Sequence, residues 1–237
     1  MSVSAWHDAE CGSYDADLAL WEQLAEEADG PVLDLGCGTG RVALHLARRG
    51  HTVVGLDVEP ELIATLSARA EGLPLEAVLA DARGFELDTD IALAIAPMQL
   101  AQLLGGRADR LECLGCVAAH LLPGGRVAMA IVERLPRESE GPPPLPDVRE
   151  VDGWVYSSLP VEAVDIGEEI VIRRLRQTVS PTGDLREAED EIRIRTLSAA
   201  ELESEGAEVG LVVLGRREIP PTDLHVGSTV VVLGREG

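Results

Sequence analysis

The sequence predicts a doubly wound α/β fold with an antiparallel β insert after the fifth strand. Three observations carry this expectation. Strand-like and helix-like segments alternate from residue 32 to residue 132, the pattern of a parallel sheet with crossover helices. The strand segments are nearly continuous apolar runs, as strands buried on both faces require. After Glu133 the pattern changes to alternating segments separated by turn residues, which marks antiparallel strands.

The elements follow in order. Residues 1–30 read as a helix, because Tyr14, Leu18, Trp21, Leu24 and Ala25 recur at three- and four-residue steps as one apolar stripe. Asp29-Gly30-Pro31 stops it. Val32–Leu35 is the first strand and runs into a glycine turn, Gly36-Cys37-Gly38-Thr39-Gly40. A helix carrying Val42, Leu44, Leu46 and Ala47 follows and ends at Gly50. Thr52–Leu56 is strand two, ending at Asp57. Pro60 opens a helix over 60–71 at a favoured first-turn position. Leu75–Ala80 is strand three, ending at Asp81, and Ile91–Ile95 is strand four, ending at Ala96-Pro97. Helical pattern covers 98–121. The turn Pro123-Gly124-Gly125 leads into strand five, Arg126–Val132.

Residues 136–147 are rich in Pro, Gly and charge and read as a loop. Gly153–Leu159, Glu169–Ser180 and Leu185–Thr196 read as strands, the last two joined by the hairpin signal Ser180-Pro181-Thr182-Gly183-Asp184. Ser198 and Glu201 form a capping box that opens a short helix ending at Gly206. Strands at Val209–Gly215 and Ser228–Leu233 close the chain. The expected division is therefore a core with its N-terminal helix over 1–135, an insert over 136–196, and a last helix with the final strand pair over 197–237.

Composition narrows the function. The 237 residues are 46% hydrophobic and 26% charged, which suits a globular chain. The formal net charge is −22, which argues against nucleic acid or an anionic membrane as a partner. Every basic side chain other than histidine is Arg, for the sequence contains no Lys. That excludes Schiff-base chemistry and a P-loop lysine. Usage heavy in Ala, Arg, Gly and Glu fits a GC-rich, bacterial genome. The first residues show no signal-peptide pattern, and no apolar run is long enough to span a bilayer. With four cysteines, a reducing, cytoplasmic setting is expected.

Ligands of open α/β sheets bind at the carboxyl ends of the strands. There the glycine turn lets backbone approach a ligand. Asp57 follows Gly38 by 19 positions, where an acid takes both hydroxyls of a ribose. Asp81, with Ala82 beside it, is placed to read an adenine edge. Ala96-Pro97-Met98 ends strand four, where a methylene chain and a sulfonium would lie. One turn and three strand ends converge on one adenosyl ligand.

On VLDLGCGTGR (32–41), VVGLDVEPELI (53–63), LADAR (79–83) and HLLPGGRV (120–127) the sequence resembles the class I S-adenosylmethionine-dependent methyltransferases of small-molecule type. The resemblance covers about residues 12–135 and extends to LSAAELESEGAEV (197–209) and HVGSTVVVL (225–233). It implies a Rossmann-like methyltransferase sheet and S-adenosylmethionine as cofactor. The insert resembles the antiparallel substrate cap of some sugar and amino-acid N-methyltransferases. The resemblance further implies that Asp34, Gly36, Gly38 and Gly40 hold the methionine part, with Tyr14 over its carboxylate. Asp57 would hold the ribose, Val58 would pack near the adenine, and Asp81 and Ala82 would read it. Ala96, Met98 and Gln99 would line the methyl-donor and substrate side.

Further candidates come from the residues themselves. His225, in the loop before the last strand, is the first candidate base and Glu133, at the end of strand five, the second. Trp154 and Tyr156 alternate on an insert strand, so both point one way, either as an aromatic wall for substrate or as packing on the core. Cys113 and Cys116 lack the further ligands that a zinc site needs, so no metal is expected. The expected reaction is methyl transfer to N or O of a small-molecule acceptor, with a homodimer possible through the insert. A nicotinamide-dependent enzyme fits less well, because Arg41 stands where the third glycine of that fingerprint belongs. A protein that binds S-adenosylmethionine without turnover remains the alternative, separated from an enzyme by whether cofactor is consumed.

Overall fold

The computed structural model describes residues 2–133, 145–223 and 225–237. The loop expected over 136–147 lies largely outside these residues, as does the boundary expected at 135/136. Two short helices, α1 (Val3–Cys11) and α2 (Leu18–Glu26), precede β1 (Val32–Leu35), α3 (Arg41–Ala47), β2 (Val53–Asp57), α4 (Pro60–Arg69), β3 (Leu75–Leu79) and β4 (Ile91–Ala96). Helices α5 (Leu100–Leu103) and α6 (Arg107–His120) lead to β5 (Leu121–Ile131). The insert is β6 (Asp147–Val151), β7 (Trp154–Asp165), β8 (Glu169–Val179) and β9 (Leu185–Arg195). Helix α7 (Ala199–Glu208), β10 (Val212–Ile219) and β11 (Ser228–Gly234) complete the core.

The main sheet has seven strands in the order β10-β11-β5-β4-β1-β2-β3. Strands β3, β2, β1, β4 and β5 run parallel, and β11 alone runs antiparallel to both its neighbours. Strand order reverses at β1, between β2 and β4, which opens a crevice at the carboxyl ends of β1 and β4. Both faces are covered. Leu33 and Leu35 pack with α6 and α7 through Cys113, Leu114 and Leu202, whereas Val32, Leu93 and Ile95 pack with α2 and α3 through Trp21, Leu24 and Leu46. Two-sided burial explains why these strands are apolar at every position.

Strand β7 runs on to Asp165, past the expected end at Leu159, β10 spans Val212–Ile219 in place of Val209–Gly215, and four further boundaries differ from the sequence expectation. The N-terminal helix is two helices, with Tyr14 in the turn between them. Asp17, 1% exposed, accepts from the Trp21 indole at 2.8 Å and pairs with Arg41, which fixes the start of α2. The segment 98–121 is also two helices, parted at Gly105-Gly106. Strand β5 begins at Leu121, and Pro123-Gly124-Gly125 lies within it, where the pairing with β4 shifts register between Ile91 and Leu93. Finally, Gly206 lies inside α7. A Cβ there would stand 2.4 Å from Leu233, so glycine serves the close approach of α7 to β11.

The insert is a separate antiparallel sheet, β6-β7-β8-β9. The hairpin at 180–184 closes with the Ser180 amide donating to the Asp184 carbonyl at 2.9 Å. The edge strand β9 exposes Glu187, Glu189 and Glu191, and like charges on an edge oppose pairing with a second copy of it. Among the described residues no helix is long and apolar enough to cross a membrane.

Candidate cofactor site

The glycine turn sits at the carboxyl end of β1. Gly36, Gly38 and Gly40 have φ of 65°, 56° and 92°, the left-handed region that glycine enters without a Cβ clash. The Cys37 amide donates to the Leu56 carbonyl at 3.0 Å, which ties the turn to β2. Asp57 completes the tie. Its Oδ2 accepts from the Gly38 amide and its Oδ1 from the Glu59 amide, both at 2.9 Å. The carboxylate is thereby oriented, and an ionised carboxylate has about four acceptor sites, so both oxygens keep capacity for ribose hydroxyls.

Asp34 lies beneath the turn, 1% exposed, and its Oδ1 has no partner among the described residues. Burial pushes its pKa up to about 7, against the opposing charge of Arg41. A cationic ligand above the turn has the sign that favours this carboxylate.

The other strand ends are arranged as follows. Val58 is 67% exposed beside Asp57, and Leu79, paired with Asp57, is 54% exposed. The two leave apolar surface beside the Asp57 carboxylate. Asp81 is engaged by Arg83, whose backbone amide donates at 2.9 Å and whose Nη2 donates at 2.6 Å. These bonds hold its carboxyl down to about 2. Ala82 and Ala96 are buried. After β4, Met98 and Gln99 have φ of 56° and 63°. Two successive non-glycine residues in the left-handed region are strained, and such strain clusters at ligand sites. Gln99 enters α5, where its carbonyl accepts from the Gln102 amide at 2.8 Å.

Tyr14 and His225, distant in sequence, stand together with ring centroids 4.7 Å apart. Arg41 lies over the Tyr14 ring at 5.1 Å, donates to the Tyr14 carbonyl at 2.8 Å and pairs bidentately with Asp17 at 2.6 and 2.7 Å. Met98 packs against the same cluster as Tyr14. Burial raises the Tyr14 pKa. His225 is held by Thr222, whose Oγ1 lies 3.3 Å from Nδ1 and accepts from the His225 amide at 3.0 Å.

Two expectations need correction. Glu133 caps α7: its Oε1 accepts from the Ala199 amide at 2.8 Å and its Oε2 lies 3.4 Å from Thr229 Oγ1. That engagement makes it a helix-terminus partner rather than a free base. Tyr156 is buried edge-on against Trp6 of α1, centroids 5.0 Å apart, and Trp154 packs on the same cluster. These aromatics hold the insert on α1 and form no open wall for substrate. Cys113 is buried, which raises its thiol pKa to about 12, and Cys116 donates to the Phe85 carbonyl at 3.4 Å.

Sequence reasoning also missed residues that the structure brings to the turn or to the ends of β5 and β9. The His7 ring of α1 lies against Gly38, where a Cβ would stand 2.1 Å from Nε2, and its Nδ1 is 3.3 Å from Thr39 Oγ1. Burial lowers its pKa. Asp8 accepts from Thr39 Oγ1 at 2.5 Å. The buried Gln102 bonds Val132 through its carbonyl (2.7 Å) and Arg195 through its amide (2.8 Å), which joins the ends of β5 and β9. No spacing signal marks these residues, because each acts across elements far apart in sequence.

Residues 32–125 match the family model of a methyltransferase domain. A Diels-Alderase dependent on S-adenosyl-L-methionine, iccD of Talaromyces variabilis, is 34% identical over 116 residues, 48% of this chain and 40% of that protein. The cypemycin N-terminal methyltransferase of a Streptomyces species is 32% identical over 111 residues, 46% of this chain and 45% of that one. The matched region thus spans less than half the length of these curated relatives. Among solved structures, the sugar N-methyltransferase KedS8 from a Streptoalloteichus species superposes with a TM-score of 0.78 at 18% identity, over 99% of this chain and 93% of that one. Its likeness extends through the insert and shows a shared fold. Residues 32–125 are thus similar to methyltransferase domains, and the chain as a whole shares its fold with the sugar N-methyltransferase.

Proposed function

We propose that this chain transfers a methyl group from S-adenosylmethionine to a nitrogen or oxygen of a small-molecule acceptor by in-line displacement. The observation that carries the reading is the Asp57 carboxylate held by the Gly38 amide at the reversal of strand order. An oriented carboxylate beside a glycine turn supports a role for Asp57 in holding the ribose. The buried, unpartnered Asp34 oxygen and the apolar Val58–Leu79 surface also fit this cofactor. The cofactor, when bound, supplies a methyl group already activated by a positive sulfur. The protein's task is then alignment and exclusion of water, which can account for much of the rate gain.

His225 would serve as the base. It stands on Tyr14 and belongs to the loop before β11. An amine that binds neutral needs little from it, whereas a hydroxyl needs a proton removed. The insert, held over the core by α1, would cover the acceptor. A second reading, in which the cofactor is bound but not consumed, has one observation in its favour: a relative dependent on the same cofactor is named a Diels-Alderase. The test is formation of S-adenosylhomocysteine from S-adenosylmethionine with small amines and small alcohols or phenols as acceptors. The proposal expects turnover with at least one class. If a hydroxyl is the acceptor, His225→Ala should cost roughly a hundredfold in kcat. Binding of S-adenosylhomocysteine with no turnover in either class would favour the second reading. Wild-type rates for His225→Ala at every pH would remove the base assignment.

A further inference from the structure

Helix α1 lies between the glycine turn and the insert, and one buried carboxylate on it touches both. Asp8 is 5% exposed. Its Oδ1 accepts from Thr39, the residue between the last two glycines of the turn, at 2.5 Å. Arg69 of α4 donates to the same oxygen at 3.0 Å and pairs with Oδ2 as well. Arg149 of β6, in the insert, brings its Nη2 to 3.4 Å from Oδ2. Three parts of the molecule thus meet at one side chain.

The surroundings keep this junction in place. Gly12, at the end of α1, admits Arg149, because a Cβ there would stand 3.1 Å from its Nη1. On the other side of α1, Glu10 accepts from Arg176 of β8 at 2.7 and 2.8 Å and from Ser158 of β7 at 2.7 Å. Trp6 packs edge-on to Tyr156 of β7. These contacts fasten α1 to the insert. His7, the neighbour of Asp8, lies directly on Gly38. Burial disfavours a charge on Asp8, but the bonds from Arg69 and Thr39 outweigh it and hold the carboxyl below its ordinary range.

We infer that Asp8 is a positioning residue for the cofactor: it sets the glycine turn through Thr39 and ties the turn to the insert through Arg149. The inference rests on the turn being the cofactor site. A shift of the insert on the acceptor side moves Arg149, and the shared carboxylate passes that shift to Thr39. Acceptor side and cofactor side are therefore energetically coupled, and by linkage the coupling runs both ways.

A double-mutant cycle tests this, with S-adenosylhomocysteine as the titrant and thermal melts confirming folded variants. Arg149→Gln, on the insert, should weaken binding roughly fivefold, as coupled contacts do. Arg149→Lys keeps the charge and should bind within about twofold of wild type. Asp8→Asn should weaken binding roughly tenfold or more, and adding Arg149→Gln to it should cost nothing further. If Asp8→Asn does not fold, Thr39→Val takes its place in the cycle, with the same expected loss of the Arg149→Gln effect. Wild-type affinity for Arg149→Gln, or an effect of undiminished size in the second background, would overturn the coupling alone. Failure of the wild type to bind S-adenosylhomocysteine would overturn the cofactor reading, and the coupling with it.

Discussion

The seven-stranded core and the four-stranded insert solve the problem of burial in opposite ways. In the core, β1 and β4 are buried at every position, and apart from Asp34 charge enters the interior in pairs. Arg110 and Glu205, on α6 and α7, bond bidentately at 2.8 and 2.7 Å with side chains 9% and 4% exposed. In the insert, buried and exposed positions are mixed along each strand, and pairs such as Arg173–Glu191 lie open to water with side chains 52% and 35% exposed. The core is therefore specified by apolar volume. The insert is specified by register, by its aromatic contact with α1 and by many weak charges.

That contrast predicts unequal costs for similar changes. Glu205→Ala leaves Arg110 buried without a partner and should cost about 3–5 kcal/mol, read from chemical denaturation; a loss near zero would mean that water reaches the site. Next comes Asp34. Its folded pKa of about 7 lies above the ordinary carboxylate range, so the folded state keeps a proton that the unfolded chain releases between about pH 4 and pH 7. Stability from this group is full below that window and falls as pH rises through it. At about 1.4 kcal/mol per unit, the fall has a ceiling of about 4 kcal/mol. Asp34→Asn should flatten that part of the stability–pH curve, and an unchanged slope would place the titration elsewhere. The smallest effect belongs to the insert. Glu191→Ala removes partners of Arg173 and Arg193 on an open surface and should leave the melting temperature unchanged within scatter; a large drop would erase the contrast between the two sheets.

The same contrast explains what could be read from the sequence. Strands β1, β2 and β4 are apolar runs ending in the glycine turn, Asp57 and Ala96, and their place in the sheet follows from pattern and spacing. Tyr14 and His225 meet although they are distant in sequence, and no local pattern announces their contact. The breaks at Gly12–Asp17 and at Gly105-Gly106 escaped notice because an apolar stripe continues across each of them. Trp154 and Tyr156 were correctly placed on one face, but the occupant of that face, α1, could not be known before α1 was separated from α2. Asp8, His7 and Gln102 carry no local signal, because their partners stand on other elements. Glu133 sits at the expected strand end, but the helix terminus that claims it is assembled only in three dimensions.

The central claim is that the glycine turn with Asp57 is an adenosyl-cofactor site. Calorimetric titration of ligand-free protein with S-adenosylhomocysteine, and separately with NAD, tests it most directly, with Asp57→Ala as the paired variant. Binding of the first ligand alone is expected. Asp57→Ala, folded by its melt, should lose roughly a hundredfold in affinity, the worth of two bonds to a charged acceptor. Binding of NAD in place of S-adenosylhomocysteine, or undiminished S-adenosylhomocysteine affinity in folded Asp57→Ala, would contradict the account.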